Sequence, residues 1–435
     1  MPPFHKDFAM QPQDIICKKR EGQKLTPAEI NAFVQGINDW SIADGQIAAM
    51  LMATLINGTD TDEIVELVKA VVDTGMVLNW DAVDLNGPVA SVYAMPGVGD
   101  KVEIIAGAVL AACGLYVPMI CDRMQYHTGG TMDKLDSILG YDSHPTYSRF
   151  KKALRDSGCA FMTSTEQFAP ADMRIQAIRD ITATVESLPL LISSMLTKKV
   201  TSGIRKLTVD VKAGSGAFTK TQAEAEQCID LIKQCLPAFG IDANFTISDM
   251  NQVTGQNIGN SLEIYEIWDY LTGASGTRDP DIHALVKRVS SAALLLNGIC
   301  ATQDEADARV DSVVASGAAA EQFGRILTAM GVSPAFMNNP APFLQTASVI
   351  RPIYPDKAGT VKGMNLRWIG LSVLEMGAGR LFQEQKIDYS AGYTNMCKVG
   401  MYVSPQVPLA FVHAHDEATA DAAETHLRGA VQIES

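Results

Sequence analysis

The 435-residue chain has no Cys-x-x-Cys pair and no Cys/His spacing suited to a transition metal. Its eight cysteines (Cys17, Cys113, Cys121, Cys159, Cys228, Cys235, Cys300, Cys397) are scattered, which excludes a zinc ribbon or a disulfide-framed fold and reads as buried thiols in a reducing cytoplasm. No uncharged apolar run approaches the roughly 20 residues of a membrane span, and the opening Met-Pro-Pro-Phe-His-Lys-Asp-Phe has no apolar signal core, so a soluble, cytoplasmic protein is expected. Positive charge is in deficit: 35 Lys and Arg against 49 Asp and Glu give a net charge of -14. Nucleic acids and anionic membranes require a basic face and are not expected partners. There is no internal repeat and no low-complexity tract. With 47% hydrophobic residues the chain can bury a large core and should divide into two or three domains.

Two patterns succeed one another along the chain. Residues from Gln11 to about Asp73 read as helical: Thr26-Pro27-Ala28-Glu29 has the residues of a capping box, and Ile30, Phe33, Val34 and Ile37 follow at helical spacing. Further helices are predicted over about Ser41–Leu55 and over Thr61–Val72. A linker, Trp80–Pro88, leads into short apolar runs alternating with helices. Strands are expected at Val89–Tyr93, Tyr116–Cys121, Lys206–Val211 and Asp242–Ile247, and helices at Val102–Cys113, from Thr131 to Ser137, and at Thr221–Leu236. This alternation predicts a mostly parallel sheet covered by helices, an α/β class. From about Ala341 strand signals dominate, at Val349–Ile353, Gly359–Lys362, Lys398–Val403 and Pro408–His413.

Two glycine turns each lead into a helix: Gly97-Val98-Gly99-Asp100 and His127-Thr128-Gly129-Gly130-Thr131. Glycine lets backbone N–H groups approach an anion, and a helix start adds the positive end of its dipole. Such turns alone also serve as ordinary strand-to-helix connections.

Around them stand K-K-R-E-G (Lys18–Gly22), A-P-A-D (Ala169–Asp172), R-D-I-T-A-T-V-E-S-L-P (Arg179–Pro189), D-V-K-A-G-S-G-A-F (Asp210–Phe218) and D-M-N-Q (Asp249–Gln252). In this order they resemble the thymidine and pyrimidine-nucleoside phosphorylases, over nearly the whole chain. The resemblance implies a discontinuous helical domain (1–73 and 169–201), a large mixed α/β domain (88–168 and 205–340) and a C-terminal α/β subdomain (341–435) far from the chemistry. It also implies an active site in the interdomain cleft and a homodimer formed through the helical domain.

Cleaving a pyrimidine nucleoside leaves negative charge on the base, which cationic donors stabilise. By resemblance those donors are Arg179, Ser194 and Lys198, with Phe218 packing on the base. Ser194 and Lys198 are four residues apart and so share a helix face. Read without the resemblance, Arg179 would pair with Asp180 or Asp172, and Lys198 and Lys199 would be solvated.

The departures from the family lie where phosphate should bind. The family's first loop, K-H-S-T-G-G-V-G-D, here reads Val92-Tyr93-Ala94-Met95-Pro96-Gly97-Val98-Gly99-Asp100. Glu103 stands at a phosphate-binding Ser/Thr position and Cys121-Asp122 in place of a Ser-Gly pair, while Thr131 remains. A carboxylate about 4 Å from phosphate costs roughly 4 kcal/mol at an effective dielectric of about 20, near a thousandfold in affinity. Orthophosphate is therefore a doubtful co-substrate. The favoured expectation is hydrolysis of a pyrimidine nucleoside, with Glu103 or Asp122 as base and Arg179 and Lys198 supporting the departing pyrimidine. Phosphorolysis with altered acceptor use and a non-catalytic nucleoside-binding paralogue are the alternatives. Tyr93, Gln125 and His127 are placed with the substrate-binding residues. No metal or other cofactor is expected: some relatives hold a monovalent cation near the first glycine loop, with an acid equivalent to Glu266, but Lys101 and Asn257 differ from the ligands used there.

Overall fold

The computed structural model describes residues 11–81, 83–382 and 385–434; the N-terminal stretch read above for a signal core lies outside them. The chain forms two compact units, one comprising residues up to Leu78 with Ser164–Thr201, the other Asn79–Thr163 with the residues from Ser202 onward.

In the helical unit, helices span Pro12–Arg20, Pro27–Asn38, Asp44–Asn57, Thr61–Val72, Pro170–Ile181 and Leu188–Thr201. The capping box at Thr26 forms: its hydroxyl accepts the Glu29 N–H, and the Glu29 carboxylate accepts the Thr26 N–H at 2.7 Å. The next helix begins at Asp44 rather than near Ser41, because the Asp39 carboxylate accepts the Ser41 N–H at 2.9 Å and holds the chain in a turn. The paired lysines of K-K-R-E-G bind glutamates. Lys18 meets Glu29 at 2.7 Å, and Lys19 meets Glu63 at 2.9 Å with both side chains buried. Glu63 also closes the capping box of its own helix with Asp60. Ile30, Phe33, Val34, Ile37, Ile175 and Leu190 share one core, so the returning segment packs with the N-terminal helices.

In the second unit, strands β1 (Ser91–Ala94), β2 (Val117–Ile120), β3 (Cys159–Met162), β4 (Lys206–Ala213) and β5 (Asp242–Asp249) run parallel. β1, β4 and β5 form one ladder and β2 and β3 another, with a parallel bridge between Val89 and Tyr116. β3 has no counterpart in the elements expected from sequence. It is four residues long and wholly buried, so it shows no alternation to read. The helix Val102–Ala112 is buried continuously from Val102 to Leu110 and lies in the main core.

The C-terminal stretch adds two antiparallel sheets. One sets Val349–Ile353, Ala410–Ala414 and Gly392–Thr394 together, the other Val431–Glu434, Gly359–Met364 and Tyr402–Val403. The strand expected over Lys398–Val403 shrinks to two residues because Lys398 turns away, donating to the Val253 carbonyl at 2.7 Å and pairing with Asp281. This subdomain, expected far from the chemistry, packs against loops of the α/β sheet. Its core is continuous with Val98, Ala217, Met250, Val253 and Ile258, which belong to the loops at the carboxyl ends of β1, β4 and β5. In open α/β sheets those loops are where ligands bind.

Among the described residues no helix is long and apolar enough to cross a membrane.

Candidate active site

The first glycine turn is clamped to its neighbours by backbone bonds. Met95 N–H donates to the Asp210 carbonyl at 2.9 Å and Val98 N–H to the Gly216 carbonyl at 3.2 Å. Gly99 has φ +70°, in the region that favours glycine. A Cβ on Gly97 would meet Met250 Cε of D-M-N-Q at 2.7 Å, and Gly97 bridges Ala217 of the G-S-G-A-F loop, so the turn is in close contact with both segments. Asp100 accepts the Val102 N–H at the helix start and pairs with the buried Lys212 at 3.3 Å; Lys212 also binds Asp210 at 2.5 Å. Burial opposes the Lys212 charge, but the carboxylates of Asp100 and Asp210 outweigh it and raise its pKa. Asp210 in turn accepts the hydroxyls of Thr246 and Ser248, each at 2.8 Å. The lysine of D-V-K is therefore an internal tie that fixes the turn.

Beside this turn a small cavity is lined by Tyr93, Gly97, Asp100, Glu103, Cys121, Asp122, Arg123 and Thr131. Glu103 lies in the first turn of Val102–Ala112, only 8% exposed. Its carboxylate accepts the Ala94 N–H at 3.0 Å and the Thr131 hydroxyl at 2.8 Å. Two donors from the cavity lining are thus engaged by a resident carboxylate. Arg123 does not offset that charge, since its guanidinium is held by Asp133 at 2.8 Å and Asp136 at 2.7 Å. Asp122 is half-buried on the same cavity, and its carbonyl accepts the Met132 N–H. Cys121 and Tyr93 are buried there.

The second turn carries an imidazole in an unusual setting. Tyr126 adopts φ +55°, a left-handed conformation that is costly for a bulky residue. His127 behind it is 1% exposed, with its ring edge-on to Tyr126 at 5.6 Å and to Phe218 at 5.2 Å between centroids. Neither ring nitrogen completes a hydrogen bond, although the Gly216 backbone comes near. Burial, then the charges of Arg367 and Lys220, push its pKa down to about 3. Gln125 is also buried in this turn. Arg367 stacks 5.1 Å from the Tyr126 ring centre, and a Cβ on Gly370 would strike the His127 carbonyl at 2.1 Å. The helix Leu366–Val373 thus backs the turn. Nothing in the sequence near the two glycine turns points to Arg367 or Gly370, some 240 residues downstream.

A pH dependence follows from His127. Its folded pKa lies below the ordinary 6.5, so the unfolded chain takes up a proton that the folded one refuses. That contribution is neutral above about pH 6.5 and destabilises as pH falls below it, by about 2 kcal/mol at pH 5. Urea unfolding from pH 7.5 to 5.0 should show His127→Gln losing less stability on acidification than the wild type. Parallel curves would contradict the assignment.

In the helical unit, the three expected base donors are all buried. Arg179 is 0% exposed and donates to the Val185 carbonyl at 2.9 Å and the Leu190 carbonyl at 3.3 Å. Lys198 is not a solvated lysine: it is 2% exposed, pairs with Asp172 at 2.8 Å and donates to the Ser194 hydroxyl. Gln176 also donates to that hydroxyl. The i to i+4 spacing thus brings Ser194 and Lys198 together, and Asp172 of A-P-A-D is the carboxylate paired with Lys198.

Among the described residues no group of three or more His, Cys, Asp or Glu is arranged to hold a metal ion.

Comparison with known proteins finds three family matches. Residues 86–320 match the α/β domain of a glycosyl transferase family, residues 13–75 its helical bundle domain, and residues 360–434 the pyrimidine nucleoside phosphorylase C-terminal domain. Among solved structures, the anthranilate phosphoribosyltransferase of Thermus thermophilus is similar with a TM-score of 0.57, over 73% of this chain and 99% of that one. At 17% identity that likeness shows a shared fold.

Proposed function

The chain belongs to the glycosyl transferase family, with a pyrimidine nucleoside phosphorylase-like architecture, and from that premise we propose that it cleaves the N-glycosidic bond of a pyrimidine nucleoside using water in place of phosphate. The observation that carries this reading is the Glu103 carboxylate lodged between the Ala94 N–H and the Thr131 hydroxyl. A phosphate dianion there would have to displace a charge of its own sign from both donors. In the proposed reaction water adds to the anomeric carbon as the bond to N1 breaks, and the bonding pair leaves with the base. A carboxylate, Glu103 or Asp122, takes the proton from water. Arg179, Ser194 and Lys198 are the groups proposed to stabilise charge on the departing pyrimidine. Glu103 already holds the Ala94 N–H and the Thr131 hydroxyl, which makes Asp122, half-buried on the same cavity, the rival for that role.

Phosphorolysis is the second reading, favoured by the match of residues 360–434 to a nucleoside phosphorylase domain and by the retained glycine turns. Base release from uridine, cytidine and thymidine, assayed with and without orthophosphate, separates them. Hydrolysis gives free sugar at the same rate in phosphate-free buffer. A strict phosphate requirement with a sugar 1-phosphate product would overturn it. Absence of release from any nucleoside, with a saturable thermal shift, would indicate binding alone.

A further inference from the structure

Lys101 follows the first glycine turn directly, at the N-cap of the helix Val102–Ala112. Its side chain is fully buried. The ammonium lies 2.6 Å from the Thr254 carbonyl oxygen, 3.3 Å from the Asn257 carbonyl oxygen and 2.7 Å from Glu266 Oε2. The chain wraps the Glu266 carboxylate, which accepts the Gln256 N–H at 2.6 Å and the Asn257 N–H at 3.1 Å. Gly255 makes this possible at φ +78°, where a Cβ would meet Glu266 Oε1 at 2.5 Å. The result is a loop that turns two carbonyls and one carboxylate toward a single point. Burial opposes the charge on Lys101, yet Glu266 and then Glu263 outweigh it and raise its pKa, so the group is an ammonium. Glu263 is itself paired with Lys134 at 3.1 Å.

Two carbonyl oxygens and a carboxylate around one positive charge are the donor set of a monovalent cation site, in which carbonyl dipoles replace water around the ion. An ammonium and a potassium ion are close in size and equal in charge. The loop and the first glycine turn are also in contact, since a Cβ on Gly99 would meet the Asn257 carbonyl oxygen at 3.3 Å and Val253 at 2.8 Å. We propose that the Lys101 ammonium is the resident cation of this oxygen cage, fixing the first glycine turn so that the protein needs no added metal ion, and that removing it creates a site for potassium. Lys101 is thus a positioning residue, and its role stands whether water or phosphate is the acceptor.

The test is cation dependence. Full-length wild type and Lys101→Met are compared in potassium, sodium, lithium and choline chlorides at constant ionic strength, by thermal unfolding and by nucleoside turnover. Wild type should be indifferent to the cation. Lys101→Met in choline should lose about 5–10 °C in Tm, as expected when a buried carboxylate loses its partner, and potassium should restore Tm saturably and better than lithium. A lysine that only packs would give a variant that no cation rescues. The control Glu266→Gln should be destabilised and insensitive to potassium. Wild type that requires potassium for stability overturns the proposal. So does a Lys101→Met protein that responds equally to every chloride, or one that remains unfolded in all of them.

Discussion

Lys198→Met should destabilise the helical unit by about 3–5 kcal/mol, the usual consequence of removing one partner from a buried ion pair. The pair with Asp172 is 2.8 Å long with both side chains almost fully buried, so the orphaned carboxylate has no route to bulk water. The double variant Asp172→Asn/Lys198→Met removes both charges and should recover most of that loss. Turnover separates the two roles of Lys198. If its ammonium stabilises charge on the leaving base, kcat should fall by roughly two to three orders of magnitude in the single variant and stay low in the double, as when a transition-state donor is deleted. Recovery of turnover along with stability in the double variant would reduce Lys198 to a structural tie. Urea denaturation and initial rates on the four members of the cycle supply both readouts.

Glu103→Gln should lower base release by at least about a hundredfold if Glu103 is the general base. Turnover unchanged by this substitution would pass that role to Asp122. Glu103→Ser asks a different question. It removes the carboxylate and leaves the Ala94 N–H and the Thr131 hydroxyl, now held at 3.0 and 2.8 Å from Glu103, open to an anion. Phosphate affinity should then rise by up to about a thousandfold, the reverse of the like-charge penalty. Measuring sugar 1-phosphate formation by this variant would show whether acceptor choice rests on a single side chain.

Local chemistry accounts for what could be read in advance. The Thr26–Glu29 cap, the Thr61–Val72 helix and the β-branched runs of β4 and β5 carry their signals within a few residues, and the structure places these elements with shifts of a residue or two at most ends. Motif order led to a pyrimidine nucleoside phosphorylase-like architecture. Contacts between distant segments were not legible. Glu103 and Thr131 are individually conspicuous in the sequence, but their hydrogen bond spans 28 positions and depends on how two strand-to-helix turns are set side by side. Lys198 and Lys199 look like a solvated pair, and only packing shows both to be buried. Arg367 and Gly370 enter the site region through the C-terminal stretch, whose core merges with the site loops. Lys101 looked merely unlike a metal ligand; three oxygens from Thr254, Asn257 and Glu266 give it a purpose.

Calorimetric titration of orthophosphate into wild type and Glu103→Ser probes the acceptor cavity most directly, independent of any substrate. Wild type should give no saturable heat at millimolar phosphate, and Glu103→Ser should bind. Saturable binding by wild type, unaltered by loss of Glu103, would mean that phosphate sits there despite the carboxylate and would contradict the account.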